Sequence, residues 1–295
     1  MKPKKWVLET RPQFLLLSPI LAILGSSIAW HDGIFRLDYA LLAFFALLLD
    51  HISVNTLNDY FDYRSGIDLE TEKTQFSGGS GLLPSGSLEP THVLWFGLAC
   101  FFLAIPIASY LVMTSGWQLL PLILIGGFCV LLYTPFITKL PWPEWAPGAG
   151  LGSLPVLGFY FVQASSYPLH VIVASIPSGI LVHNLLLLNE LPDVEADKKK
   201  GRRKTLPIVL GKKKASTIYS VLTIAVYFWI TFGAIANLLP SFCLLTWFTF
   251  PFALKAIGGA QNYEQRNELL SAMSNNVLVV LLTQLLLAAG YILAT

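Results

Sequence analysis

Asparagine and aspartate side chains are spaced regularly where an apolar run ends. In "VNTLNDYFDYRSGID" (54–68), Asn58, Asp62 and Asp68 form the pattern N-x3-D-x5-D. Removing carboxylates from bulk water is costly unless a partner compensates them. Carboxylate and amide oxygens are ligands that hard cations such as Mg²⁺ prefer. The pattern therefore indicates a bound cation at the end of this run.

A second pattern of the same kind lies in "NELPDVEADKKKGRRKTLPIVLG" (189–211). Here Asn189, Asp193 and Asp197 are spaced N-x3-D-x3-D, again directly after an apolar run. Magnesium commonly uses one or two carboxylates and leaves its other positions to water and substrate phosphate. Two such sets with basic residues nearby predict a cradle for a metal-bound diphosphate.

Several cationic and polar residues could contact that diphosphate or complete the site. Arginine offers two parallel donors to a phosphate, and lysine offers a point charge. On a helix, several polar residues of the first segment share one face with Asn58 and Asp62. The predicted diphosphate contacts are Arg11, Lys73, Tyr133, Lys139, Arg202, Arg203 and Lys204. Further candidates for the site are His51, Asn55, Asp59, His183 and Glu190.

The segment "FSGGSGLLPSG" (76–86) follows the first pattern and has two interpretations. Its glycines and serines are typical of a flexible linker. Alternatively it is a cap that closes over the site and excludes water.

The elements that must position these residues are membrane-spanning helices. The chain has 295 residues, of which 55% are hydrophobic and 12% charged, whereas soluble domains carry about 25% charged residues. The apolar blocks are long enough to cross a hydrocarbon core about 30 Å thick. We predict an all-α polytopic membrane protein. Its nine expected spans are 13–30, 38–58, 92–113, 117–134, 145–166, 168–190, 215–237, 239–257 and 274–294.

The distribution of positive charge gives this arrangement an orientation. Nine spans place every Lys and Arg except Arg36 on the side of the N-terminus. The positive-inside rule makes that side, which also carries both Asp-rich segments, the cytoplasmic one. The expected location is the plasma membrane, the bilayer is the expected environment, and no nucleic-acid partner is expected. The chain is predicted to be one integral-membrane domain over 1–295, with possible diverged halves of about 1–140 and 141–295.

Both Asp-rich segments resemble motifs of the UbiA superfamily of intramembrane prenyltransferases. The matching segments are "NDYFDYRSGID" and "DVEADKKKGRRKTLPIVLG", and three others are familiar from the MenA-like branch of 1,4-dihydroxy-2-naphthoate polyprenyltransferases. These three are "RP" (11–12), "FSGGSG" (76–81) and "GLGSLPVLGFYFVQ" (150–163). Members of that branch often have Gly-Leu-Gly-Glu where this chain has Gly-Leu-Gly-Ser at 150–153, which leaves the acceptor open.

The resemblance implies nine helices around a central cavity that opens toward lipid. It implies two Mg²⁺ ions, an allylic polyprenyl diphosphate and an aromatic acceptor such as a dihydroxynaphthoate, as in menaquinone biosynthesis. One ion would be held by Asn58, Asp62 and Asp68, and the other by Asn189, Asp193 and Asp197. Asp62, Asp193, Asn58 and Asn189 would be the central catalytic residues.

Three alternatives differ in chemistry. A UbiA-type terpene cyclase would use the same diphosphate site without an acceptor. A secondary transporter would place its polar residues near the bilayer midplane, whereas the two Asp-rich segments lie at the ends of predicted helices. A CDP-alcohol phosphotransferase would need a D-G-x-x-A-R signature, which the sequence lacks.

Overall fold

A computed structural model describes residues 3–69, 78–200 and 203–295, and all regular structure in them is helical. The long apolar blocks form helices because helices satisfy every backbone hydrogen bond within one segment, as a lipid environment demands. The α-helices are α1 (Pro3–Glu9), α2 (Pro12–Leu15), α3 (Leu17–His31), α4 (Leu37–Ser65), α5 (Pro90–Ser115), α6 (Leu120–Leu132), α7 (Trp145–Gly148), α8 (Leu154–Ala164), α9 (Leu169–Asn189), α10 (Val194–Lys200), α11 (Leu206–Leu210), α12 (Lys212–Ile235), α13 (Phe250–Gln261) and α14 (Arg266–Leu293). Short 3-10 segments are Trp117–Leu119, Ile137–Lys139 and Ser241–Thr249, and a π-helical turn covers Ala149–Ser153.

Seven helical segments of the described chain are long and apolar enough to cross a membrane. They correspond to seven of the predicted spans, and the all-helical membrane fold is confirmed. They are Pro12–His31, Leu37–Ser65, Pro90–Ser115, Leu169–Asn189, Lys212–Ile235, Ser241–Gln261 and Arg266–Leu293. The other two predicted spans correspond to the shorter Trp117–Leu132 and to the segment 145–164, which a π-helical turn interrupts. The count of nine spans therefore stays a prediction.

Hydrogen bonds show that both of these shorter segments run between opposite ends of the helix bundle. At one end, the Ser115 hydroxyl donates to the Val162 carbonyl over 2.9 Å. At the other end, the Asn58 side chain donates to the Thr134 hydroxyl over 3.0 Å, and the Trp142 N–H donates to the Lys204 carbonyl over 3.3 Å. The chain passes from the first end to the second through α6, and it returns through α7 and α8.

The π-helical turn packs α7 and α8 unusually close to α9. A Cβ atom on Gly152 would lie 2.7 Å from the Gly179 Cα, so only glycine permits this approach. Leu151 has non-helical dihedrals (φ −117°, ψ 20°). The Ser153 hydroxyl faces α9 and donates to the Ser175 carbonyl over 3.0 Å. Single π-helical turns often lie at functional sites, and this one turns Gly150 and Leu151 toward the bundle interior.

Helix α9 is the central element of the bundle. Two-thirds of its apolar window is buried (67%), more than for the other apolar helices of the described chain. It packs against α7, α8, α12 and α14, and the main buried cluster includes its Leu181 and Val182 together with Tyr227 and Tyr291. The second Asp-rich segment begins at the end of this buried helix, so the fold places it in the interior.

Helix α4 continues past its predicted end. It runs to Ser65 and stops at Gly66, whose left-handed conformation (φ 78°) suits a helix C-terminus. Asn58 and Asp62 are therefore one helical turn apart, and Asp68 follows the helix.

Candidate functional site

Both Asp-rich segments meet at one cavity of about 220 Å³ in the interior of the bundle. It lies between the end of α4, the end of α9 and the chain that follows α6. Eleven residues predicted from the sequence line it. They are Arg11, His51, Asn55, Asn58, Asp62, Asp68, Tyr133, Asn189, Glu190, Asp193 and Arg203.

The Asn58 side-chain amide holds Asp62 in place within the helical part of the first motif. The Asn58 Nδ2 donates to Asp62 Oδ2 over 2.9 Å and to Thr134 Oγ1 over 3.0 Å. The i,i+4 spacing on α4 places the two side chains on one face. Asp62 Oδ1 is buried without a hydrogen-bond partner in the described chain, so it is available to a ligand in the cavity.

Arg203 joins the two motifs. Its Nη2 donates to Asp62 Oδ2, and its Nε lies 3.8 Å from Asp197 Oδ1. Burial disfavours the charged guanidinium, but Asp62 and then Asp197 raise the pKa of Arg203 well above its ordinary value. The arginine therefore stays charged where the two acidic sets approach each other.

A backbone pairing holds Arg203 in this place. The Lys204 N–H donates to the Thr138 carbonyl over 2.9 Å, and the Lys204 carbonyl accepts from the Trp142 N–H. Two residues on, the Leu206 N–H donates to Glu144 Oε1 over 2.6 Å. Glu144 is fully buried, and sequence reasoning missed it. The signal was a lone carboxylate within the proline-rich "TKLPWPEWAPG".

The second motif forms a turn at the end of α9. The Asp193 N–H donates to the Glu190 carbonyl over 3.2 Å, and the Asp197 N–H donates to the Asp193 carbonyl over 3.0 Å. The Asn189 Oδ1 is buried without a partner in the described chain. Burial, and then the nearby Glu144 carboxyl, raise the pKa of Glu190 well above its ordinary value. Asp197 does not line the cavity, and its buried carboxyl faces Arg203 instead.

The loop after the first motif covers the acidic end of the cavity. The Ser80 N–H donates to both carboxylate oxygens of Asp59 over 3.0 Å, and its hydroxyl donates to Glu9 over 2.8 Å. Gly78 and Gly79 line the cavity. The described part of the loop is thus packed on the site, which favours the cap over the linker.

Gly79 also lies directly against the carboxylates. It has φ +65°, and a Cβ there would lie 2.8 Å from Asp59 Oδ1 and from Asp68 Oδ2. Burial, then Asp62 and Asp59, raise the pKa of Asp68 to about 8. A cation at this position would oppose that shift, because it favours the charged carboxylate.

The segment before α2 forms another wall of the cavity. Arg11 adopts a left-handed conformation (φ 54°, ψ 63°) directly before Pro12, and its guanidinium lies over the Phe14 ring at 4.6 Å. The Asn55 side chain donates to the Thr10 carbonyl over 3.0 Å. His51 Nδ1 lies 2.9 Å from the Ser18 hydroxyl. The Asn55 contact holds the residue before Arg11 against α4, and the His51 contact joins α4 to α3.

The structure does not bring every predicted residue into the cavity. His183 accepts a hydrogen bond from Trp142 Nε1 over 2.8 Å outside it. The side chains of Lys139 and Lys204 are exposed. Lys204 takes part in the site through its backbone, which pairs with Thr138 and Trp142. Lys73 and Arg202 lie outside the described residues.

The donor set fits Mg²⁺. The described residues contain no group of three His, Cys, Asp or Glu side chains arranged to hold a metal. Asn58 and Asn189 line the cavity together with carboxylates of their motifs and add amide oxygens to them. The oxygens directed inward are carboxylate and amide oxygens, which suit a hard cation that keeps water or phosphate ligands. The unpartnered oxygens of Asp62 and Asn189 indicate where such a cation would find ligands.

Beyond the charged end, the cavity wall is largely apolar. It also contains Asp50, a carboxyl that sequence reasoning missed because it lies within the apolar part of α4. The apolar members are Leu47, Val54, Cys129, Val130, Leu151, Val182, Leu185 and Leu186. One cavity therefore combines a charged end and a largely apolar interior.

Comparison with known sequences finds a family match over most of the chain. The model of the UbiA prenyltransferase family matches residues 16–292. A 1,4-dihydroxy-2-naphthoate octaprenyltransferase of Bacillus subtilis is 29% identical over 292 residues, covering 97% of this chain and 91% of that protein. A digeranylgeranylglyceryl phosphate synthase of Thermococcus kodakarensis is 28% identical over 236 residues, covering 77% and 78%.

Solved structures share the fold over nearly the whole chain. A structure of digeranylgeranylglyceryl phosphate synthase superposes with a TM-score of 0.68 at 18% identity, covering 99% of each chain. A UbiA homologue from Archaeoglobus fulgidus bound to GPP and Mg²⁺ has a TM-score of 0.62 at 13% identity, covering 97% of this chain and 99% of that one.

Proposed function

This chain belongs to the UbiA prenyltransferase family, and we propose that it transfers a polyprenyl group from an allylic diphosphate to an aromatic acceptor with the help of Mg²⁺. The observation that carries the proposal is the convergence of both Asp-rich motifs and Arg203 at the charged end of one cavity whose remaining wall is largely apolar. A diphosphate needs the charged end, and an isoprenoid chain needs the apolar interior.

The charged end would hold the donor's diphosphate. We assign one magnesium to Asn58, Asp62 and Asp68, and a second to Asn189 and Asp193. Asp197, the third predicted ligand of the second ion, faces Arg203 outside the cavity and would support that set through the arginine. The ions would supply the positive charge that stabilises the departing diphosphate. This assignment is supported by the unpartnered oxygens of Asp62 and Asn189 and by the GPP and Mg²⁺ bound in the Archaeoglobus fulgidus homologue.

Arg203 and Arg11 would add cationic contacts to the diphosphate. Both line the cavity, and Arg203 is already held between the two acidic sets. A guanidinium can bind two phosphate oxygens at once. These arginines would orient the leaving group while the carbon–oxygen bond of the donor breaks, with the electron pair departing on the diphosphate oxygen.

The apolar wall would protect the resulting allylic cation from water. Apolar side chains from α4, α9 and the π-helical turn surround the interior, and the Gly78–Gly79 cap covers the acidic end. Exclusion of water prevents simple hydrolysis of a reactive carbocation. The cation can then form a carbon–carbon bond to an aromatic ring carbon, which releases a proton or, where that carbon carried a carboxylate, carbon dioxide.

For the acceptor we propose a dihydroxynaphthoate, as in menaquinone biosynthesis. The similarity to the Bacillus subtilis octaprenyltransferase covers nearly the full length of both proteins. The similarity to digeranylgeranylglyceryl phosphate synthase raises a second candidate, an acceptor based on glycerol phosphate. The first is favoured because the match to the octaprenyltransferase covers more of both chains.

Purified protein assayed with a panel of substrates tests the proposal. The panel pairs prenyl diphosphates of several lengths with 1,4-dihydroxy-2-naphthoate, 4-hydroxybenzoate and a prenylated glycerol phosphate, with and without Mg²⁺, and identifies products by mass spectrometry. We expect a prenylated, decarboxylated naphthalenediol that forms only with Mg²⁺. A prenylated product from the glycerol phosphate alone would contradict the proposed acceptor, and cyclised products from the donor alone would indicate a terpene cyclase.

A further inference from the structure

Asp50 is a carboxyl in the interior part of the cavity to which the proposed donor chemistry assigns no role. It lies on α4 eight residues before Asn58, which corresponds to about 12 Å along the helix axis. It lines the same cavity. Its Oδ1 is buried and has no hydrogen-bond partner in the described chain.

The surroundings of Asp50 do not compensate it. The cavity residues one turn away on α4 are Leu47 and Val54, and the ring of its neighbour His51 is directed to Ser18. Of the two arginines that line the cavity, Arg203 is paired with Asp62 and Arg11 lies over a phenylalanine ring. Polar groups buried in a membrane protein are costly and usually serve a ligand.

We propose that Asp50 accepts a hydrogen bond from a ring hydroxyl of the aromatic acceptor and thereby selects hydroxylated acceptors. This inference rests on the proposed function. A diphosphate is anionic and an isoprenoid chain carries no hydrogen-bond donor, so the acceptor hydroxyl is the substrate group that complements a carboxylate.

The position of Asp50 suits this role. About 12 Å separates it from Asn58 along α4. This spacing leaves room for a diphosphate, a pair of reacting carbons about 3–3.5 Å apart and one aromatic ring. The apolar side chains beside Asp50 would contact the faces of that ring, and the carboxylate would bind its hydroxyl.

Steady-state kinetics of D50N and D50L with Mg²⁺ and a prenyl diphosphate test the inference. Each variant is assayed with 1,4-dihydroxy-2-naphthoate and with its methyl ethers. Leucine removes both carboxyl oxygens of Asp50 at similar side-chain volume, whereas asparagine keeps one neutral oxygen that can still accept a hydrogen bond. D38N is the matched control, because Asp38 lies on the same helix but is exposed and paired with Arg36.

We expect D50L to raise the KM for the hydroxylated acceptor by about ten- to a hundredfold, because it removes the hydrogen bond to the acceptor hydroxyl. D50N should raise this KM less, because its amide oxygen can still accept that hydrogen bond. The KM for the prenyl diphosphate should change by less than about threefold. D50L should also lose the preference of the wild type for the hydroxylated acceptor over its ethers. Prenyl-diphosphate binding and detergent size-exclusion profiles like those of the wild type would show that the variants fold.

Three outcomes would overturn the inference in different ways. Unchanged acceptor KM and unchanged acceptor preference in D50L, beside an active wild type, would refute the role of Asp50 alone. A wild type that prenylates no hydroxylated aromatic compound would refute the proposed function and this inference together. Equal increases in both substrates' KM values would mean that Asp50 only supports the structure.

Discussion

At the scale of single residues, the central feature is the charge balance around Asp62. Three predicted groups surround it: Asn58 donates to it, Arg203 donates to it, and Asp68 lies beyond the helix end. A buried carboxylate is tolerated when a cation and hydrogen bonds compensate it. Arg203 provides that compensation in the protein itself, and the proposed magnesium would share it.

Arg203 and Lys204, which follow the second motif, should differ sharply in importance. R203Q should lower kcat/KM about ten- to a hundredfold, because it removes a charge-assisted contact to the diphosphate. K204Q should change it less than about twofold, because the Lys204 side chain is exposed and only its backbone is used. Prenyl-diphosphate titrations of both variants measure the difference. Lys213 is another exposed lysine, so K213Q serves as the control. An R203Q enzyme with the same kcat/KM as K213Q would show that Arg203 does not contact the diphosphate.

The two acidic motifs should each be needed for Mg²⁺. D62N and D193N preserve side-chain volume but remove one charge from each proposed ion site, so each should lower turnover by at least about 100-fold and weaken the Mg²⁺ response. Turnover measured across a magnesium titration tests this. Exposed Glu264 provides the comparison through E264Q. Wild-type turnover in D193N would show that the second motif holds no essential cation.

At the scale of elements, the loop after the first motif is a structural part of the site. It reaches the carboxylates through glycine, where a side chain would collide with Asp59 and Asp68. The same loop contains Gly86, which also has a positive φ (+63°) but open space around its Cβ direction. Replacing either glycine by alanine strains the backbone, but only a replacement of Gly79 also introduces a clash with the site. Comparing the two variants therefore separates the effect of backbone strain from the effect of the clash.

G79A should impair catalysis far more than G86A. A left-handed conformation costs an alanine about 1–2 kcal/mol, so both variants should lose similar stability. Only G79A places a methyl group 2.8 Å from two carboxylate oxygens, and we expect it to lose at least about tenfold in kcat/KM. Melting temperature and kinetics measured on both variants decide this. Equal kinetic losses would mean that the loop acts through stability alone.

The elements and the first-motif residues were predictable, but their partners were not. Apolar length and the i,i+4 spacing on α4 sufficed to predict a helix that presents Asn58 and Asp62 on one face. The choice of Arg203 over Lys204 depends on how residues 204–206 pair with Thr138, Trp142 and Glu144, which local sequence does not encode. Asp50 was missed because it is a single carboxyl within the apolar part of α4, and only the packing of the other helices shows that it lines the cavity.

At the scale of the whole molecule, both Asp-rich segments lie at one end of the bundle. Asn58 contacts Thr134 there, and Lys204 pairs with Thr138 and Trp142. The opposite end carries Asp32, which accepts hydrogen bonds from Tyr160 and lies 2.9 Å from His170 Nε2. A membrane enzyme with this arrangement would take up its water-soluble acceptor from the side that carries both motifs.

The last prediction concerns which side of the membrane that end faces. Reporters fused after Gly86 and Gly211 should report the cytoplasm, and one near Gly33 should report the other side, because the nine predicted spans would place nearly all Lys and Arg residues on the motif side. Reporters at Gly116 and Trp142 add a test of the shortest segments. They should lie on opposite sides if α6 crosses the bilayer, because Ser115 before this helix and Thr134 after it are hydrogen-bonded at opposite ends of the bundle. Matching signals at those two positions would remove one span, and a cytoplasmic signal at Gly33 would contradict the orientation itself.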